Sequence, residues 1–123
     1  RLAGVRVRGR WWDFGSPALY LASQRAMMSG KAPRFLRRFR AVDPSARIHP
    51  RSRVVRSIVG PGAVIQEDAW VVESVVWGGT VVERGARASG SILAGGVLEA
   101  GRRASGVVRV PPTRRGRGHE VAL

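Results

Sequence analysis

The sequence predicts a mainly β fold in which short strands coil into a stacked prism. Residues 48–64, 65–81 and 82–98 align at a period of 17 without a gap, with Ser57, Ser74 and Ser91 in one column and Gly62, Gly79 and Gly96 in another. Aliphatic columns repeat with them: Ile48, Ile65 and Val82; Ile58, Val75 and Ile92; Val59, Val76 and Leu93; Val64, Val81 and Leu98. Within each row aliphatics recur near every sixth residue (Val42, Ile48 and Val54, then Ile65 and Val71, then Val82 and Ala88), separated by Pro50, Ser52, Ala69, Gly85 and Ala86. Six residues overshoot a helical turn but suit a short strand and a tight corner, with one aliphatic side chain pointing inward per side. Three such sides make one coil. A lone coil cannot bury its aliphatics, so coils must stack, and that requirement aligns like residues in columns.

The remaining segments follow in chain order. With 123 residues the chain is one domain or part of one, and 44% hydrophobic residues exclude wholesale disorder. The N-terminus has no signal-peptide hydrophobic stretch and no initiator Met, which predicts a fragment. Val5-Arg6-Val7-Arg8 alternates as a half-buried strand. Ser16 followed by Pro17 is a helix start, a hydroxyl cap before proline at the first helical position, and Gly30 is a stop, predicting a helix near 17–28. Residues 31–41 form a basic linker whose PRFLRRFR stretch places Phe35, Leu36 and Phe39 on one face. Residues 42–107 hold about four coils, a prism roughly 19 Å tall at the usual strand spacing. Repeating LEAGRRASGV (98–107) on VERGARASGS (82–91) needs a spacing of 16, marking a capping coil. Residues 108–123, with two prolines and RRGRG, are predicted to be a mobile basic tail.

Composition narrows the function classes. The absence of cysteine excludes a disulfide framework, a thiol nucleophile and thiolate metal sites, and accords with the cytoplasm. No run of about 18 apolar residues is present, so no membrane helix is predicted. The net charge of +14 divides into +12 over residues 1–56, −3 over 57–101 and +5 over 102–123. Basic ends around a slightly acidic middle argue against nucleic acid as the partner.

Two family resemblances sharpen the reading. The repeat resembles the hexapeptide-repeat family, whose fold is a left-handed parallel β-helix. GRWWDFGSPALYLASQRAMM (9–28) resembles the last motif of the sugar-phosphate nucleotidyltransferase catalytic domain: aromatic, any residue, Asp, aliphatic, Gly, Thr, Pro, then a Tyr-Leu helix. Mannose-1-phosphate guanylyltransferases and glucose-1-phosphate nucleotidyltransferases carry a hexapeptide β-helix directly after that motif. Residues 1–30 are then a strand-turn-helix remnant of an α/β catalytic domain. The resemblance implies that Asp13 is catalytic, as a ligand of Mg²⁺, that Trp11 lies near the sugar pocket, and that Gly15 permits the turn presenting Asp13. Ser16 stands where the family has Thr, and Phe14 replaces its aliphatic. The implied reaction joins a nucleoside triphosphate and a sugar 1-phosphate into a nucleotide sugar and pyrophosphate, with the β-helix serving homo-oligomer assembly or regulation. No glycine-rich nucleotide loop and no second carboxylate suited to the metal occur in the sequence, so the chain by itself is expected to be catalytically incomplete.

Two rival functions remain. A hexapeptide-repeat acyltransferase needs a catalytic His, for which His49 is the candidate. A non-enzymatic β-helix would bind nucleic acid or another anionic polymer through its basic ends. The β-helical carbonic anhydrases need three zinc-binding histidines, and the chain has only His49 and His119.

Overall fold

A computed structural model describes residues 3–4, 14–31, 40–113 and 116–123. It is a β-solenoid of four coils with three parallel faces and one short helix. Face one stacks β1 (Arg47–Ile48), β4 (Val64–Ile65), β7 (Val81–Val82) and β10 (Val97–Leu98). Face two stacks β2 (Arg53–Val55), β5 (Trp70–Val72), β8 (Arg87–Ser89) and β11 (Arg103–Ser105). Face three stacks β3 (Ile58–Val59), β6 (Val75–Val76), β9 (Ile92–Leu93) and β12 (Val107–Val110), and β13 (His119–Ala122) is added antiparallel to β12. Val42 bridges Val59, so the solenoid starts where the sequence places it.

Because side chains alternate along a strand, each short strand sends one residue inward and its neighbour outward. Ile65, Val71, Val82, Ala88 and Leu98 are inside, each at most 1% exposed, and they form one cluster with Val59, Val76, Leu93 and Ala104. Ile48, inward but in the first coil, stays 36% exposed because only one neighbour stacks on it. The serine column has a specific role at the corner entering face three. Ser57, Ser74 and Ser91 are buried; each hydroxyl donates to the carbonyl two residues back (2.8, 2.8 and 2.9 Å). Each also accepts the backbone N–H of the next coil, from Ser74, Ser91 and Val107 (3.1, 3.1 and 3.2 Å). Every hydroxyl thus works as both donor and acceptor, which removes the cost of burying it and ties successive coils together.

Several expectations are corrected. The column Val64, Val81, Leu98 does not form: Val81 lies opposite Val97, and Val82 opposite Leu98. The shortening to 16 occurs inside the corner 94–96, where Gly95 (φ 103) and Gly96 (φ 71) turn the chain with one residue fewer, and Val81 N–H donates to Gly96 O at 2.8 Å. Gly96 therefore stands opposite Thr80 and not opposite Gly79. The column Ile58, Val75, Ile92 points outward, yet Val75 and Ile92 are buried, because a helix covers them.

That helix, α1 (Pro17–Ala26), starts as predicted: Ser16 Oγ accepts from Leu19 N–H at 3.2 Å, with Pro17 at the first helical position. It does not stop at Gly30 but continues as a π-helical turn, Met27–Lys31. The described residues beyond 107 (108–113 and 116–123) do not form a loose tail. β12 continues past Val107 and pairs with β13, Val108 opposite Val121 and Arg109 opposite Glu120. Arg109, between Glu99 and Glu120 (both 2.7 Å), fastens the hairpin, and Val108 and Leu123 both pack against the cluster of Leu21, Val75 and Ile92. The antiparallel strand covers the last parallel edge of face three. The predicted strand at 5–8 and the aromatics of 33–39 lie outside the described residues.

Candidate functional site

Of the residues that the resemblance assigns to the active site, Trp11 and Asp13 lie outside the described residues, whereas Gly15 is an exposed bend directly before the Ser16 cap. From that bend, Phe14 meets Tyr20 with ring centroids 5.9 Å apart at 57°. Together with Ser16 and Pro17 they form one wall of a groove of about 450 Å³, whose other wall is Trp77, Ile92 and Val108 of face three. Among the described residues its lining is mostly apolar, without a carboxylate or imidazole, which suits an apolar or aromatic group.

α1 is fixed to the solenoid in two ways. Leu21, 5% exposed, packs on Val75 and Ile92 with Tyr20 and Ile58 beside it. At the next helical turn, Arg25 Nε and Nη2 both donate to the Glu73 carbonyl (3.3 Å each), and Nη2 lies 3.4 Å from the Glu73 carboxylate. Glu73 also pairs with Arg56. The segment that ends the nucleotidyltransferase-like motif is therefore seated on the prism.

Mg²⁺ can be tested against the side chains present. Among the described residues no three His, Cys, Asp or Glu side chains converge. Asp43 is engaged locally: its carboxylate accepts from Ser45 Oγ (2.6 Å) and Ser45 N–H (2.9 Å), and these bonds hold it below the usual carboxylate range. The described residues thus do not fit a divalent ion, which would need Asp13 and carboxylates from elsewhere. His49, the acyltransferase candidate, has its Nδ1 engaged by Arg51 N–H (3.2 Å) within a turn.

One feature escaped the sequence reading. On face two Arg53, Trp70, Arg87 and Arg103 lie in register on successive rungs and all point outward. The Arg53 and Arg87 guanidinium groups stack on the Trp70 ring at 5.4 and 5.0 Å from its centroid. The signal is present in the sequence, because the first three occupy one column of the 17-residue alignment.

No family model, no curated protein and no solved structure matches the chain. Among the described residues no helix is long and apolar enough to cross a membrane.

Proposed function

We propose that this chain is the C-terminal part of a sugar-1-phosphate nucleotidyltransferase, with mannose-1-phosphate guanylyltransferase the favoured member of that group. In this reading the solenoid is a left-handed hexapeptide-type β-helix, serves assembly into a homo-oligomer or regulation, and works in the cytoplasm, where nucleoside triphosphates are found. The observation that carries the reading is the joint between motif and solenoid. The Phe14-Gly15-Ser16-Pro17 turn is capped as the motif requires, and α1, which it starts, docks on face three through Leu21 and Arg25. A motif and a β-helix joined by chance would have no reason to share a buried cluster.

The reaction forms a bond between a phosphate oxygen of the sugar 1-phosphate and the α-phosphorus of the nucleotide. The bond from that phosphorus to the oxygen bridging to the β-phosphate breaks, and pyrophosphate leaves with that electron pair. Within this chain, Asp13 would act at the reacting phosphates, Trp11 would border the sugar, and Gly15 with Ser16 would fix the turn that presents them.

The test uses the longer protein this reading requires. It should release pyrophosphate from a nucleoside triphosphate and mannose or glucose 1-phosphate, whereas residues 1–123 alone should not. Asp13→Asn should lower kcat at least about a hundredfold, the scale on which a directly acting group is lost, and leave the urea midpoint unchanged. Turnover unaffected by that change would refute the assignment.

A further inference from the structure

The arginine–tryptophan ladder on face two serves no purpose in the reading above. We propose that it is a docking surface for an acidic α-helix, one whose stripe along successive turns reads acid, apolar, acid, acid.

The first argument is charge. Seven of the eight acidic residues are described, and none projects from face two, whose outward positions are Arg53, Val55, Trp70, Val72, Arg87, Ser89, Arg103 and Ser105. Those seven are engaged elsewhere: Glu67 and Asp68 by Arg51, Glu73 by Arg25 and Arg56, Glu99 and Glu120 by Arg109, Glu83 by Ala100 N–H, and Asp43 by Ser45. Among the described residues Arg53, Arg87 and Arg103 have no carboxylate partner, so the face presents uncompensated positive charge. Arg87 lies directly opposite Arg103, a like-charge pair that costs stability. Folding alone gives no reason to keep it.

The second argument is geometry. The cations form a line along the solenoid axis and not a broad patch, which suits a rod-shaped partner better than a lipid plane. Two guanidinium groups already stack on the Trp70 ring, so a nucleobase would have to displace one of them to stack there, although Trp70 remains 40% exposed. Stacking is what single-stranded nucleic acid takes from an aromatic residue. The spacing selects a helix. Rungs repeat about every 4.8 Å and helical turns about every 5.4 Å. Carboxylates at i, i+7 and i+11 would meet Arg53, Arg87 and Arg103, and an apolar residue at i+4 would meet Trp70, with a mismatch of ~2 Å over the whole ladder. An extended peptide repeats same-side residues about every 6.8 Å and falls out of step after one rung. Guanidinium groups bind carboxylates in a planar, bidentate fashion, which suits the three arginines to such a partner. The molecule already covers face three with a helix, α1.

Fluorescence anisotropy of the 123-residue chain tests the proposal. The probe is an alanine-based helical peptide of about 18 residues, five turns, carrying Glu at i, i+7 and i+11 and Leu at i+4. A control peptide has the same composition with the acids spread around the helix. The striped peptide should bind at least about tenfold more tightly than the control, and Arg87→Gln should erase that preference, a loss of about 1.4 kcal/mol. Binding should weaken as salt rises. Equal affinity for the two peptides, or a response to Arg87→Gln confined to the urea midpoint, would overturn the proposal. Tighter, Arg87-dependent binding of oligo(dT) or of phosphatidylserine vesicles would overturn it in favour of a nucleic-acid or lipid partner.

Discussion

Faces two and three of the solenoid share one backbone plan and differ in their outward rows. Apart from the antiparallel β13 at the end of face three, both are stacks of two- to four-residue strands in parallel register, and both send small or aliphatic side chains inward. Face three turns Ile58, Val75, Ile92 and Val108 outward and is covered by α1; face two turns Arg53, Trp70, Arg87 and Arg103 outward and is bare among the described residues. The inward rows therefore decide whether the coil exists, and the outward rows decide what it meets. Adjacent aliphatics alone do not mark a covered face, since Val97-Leu98 of face one leaves Val97 41% exposed; on face three the outward members Val75 and Ile92 are buried because Leu21 of α1 packs on them. A single inward residue between an exposed charged and an exposed polar neighbour, as in Arg87-Ala88-Ser89, belongs to a face that meets solvent or a polar partner.

If this division holds, the largest effect of mutation belongs to the inward row of a middle coil. Ile65 is 1% exposed and stacked between Ile48 and Val82. Ile65→Ala should cost about 2–5 kcal/mol, from lost burial plus the cavity left behind. Because each coil is held by its neighbours, loss in the centre also uncouples both sides. Urea melts read the cost directly. A loss no larger than that of an outward substitution would break the distinction between rows.

The next effect belongs to the outward row of face three. Leu21→Ala removes the side chain that α1 seats between Val75 and Ile92, and should cost roughly 2 kcal/mol, the low end for a buried leucine because the site borders solvent and can collapse. The damage should stay local. Amides of α1 should exchange hydrogen faster while those of the inner strands keep their protection. Uniform loss of protection would mean that helix and prism unfold as one unit.

How far the sequence carries follows from the same division. The period of 17, the start of the coils at Val42 and the Ser16 cap were legible because each rests on local chemistry: stacking, corner geometry and an unpaired helical N–H. On faces one and two the every-sixth-residue series picks the inward member, but on face three that member was not legible, because both members are hydrophobic and both end buried, the outward one under α1, more than thirty residues away in sequence. The hairpin was missed for a similar reason. Pro111 and Pro112 read as an end of structure, yet the chain returns beyond them because Arg109 finds Glu120 and Val108 finds Val121. The resemblance at residues 9–28 rests on the sequence pattern, and among the residues it assigns to a site only Gly15 has a described position.

A smaller effect, of opposite sign, is expected at the corner before β7. Thr80 is 1% exposed, and its hydroxyl has no hydrogen-bond partner among the described residues, although the aligned positions hold Ala63 and Gly96. An unsatisfied buried hydroxyl costs about 1–3 kcal/mol. Thr80→Val keeps the shape and removes that cost, so the urea midpoint should rise, by about 1 kcal/mol in stability. A fall would mean that the hydroxyl is satisfied by a bound water.

The smallest effect concerns the bare face, where the comparison is most easily broken. Arg103 is exposed, lies directly opposite Arg87 and has no carboxylate partner among the described residues. Its side chain contributes little burial, and the cation one rung away repels it. Arg103→Gln should therefore change stability by no more than about 0.5 kcal/mol, the usual range for a surface position, and the change should be a gain. The gain should be largest in dilute buffer and should vanish as salt screens the pair, which separates charge repulsion from any change in packing. Melts at low and high ionic strength provide the measurement. A loss of stability that persists in high salt would show that Arg103 helps hold the last coil together, and face two would then resemble face three in being built for the fold.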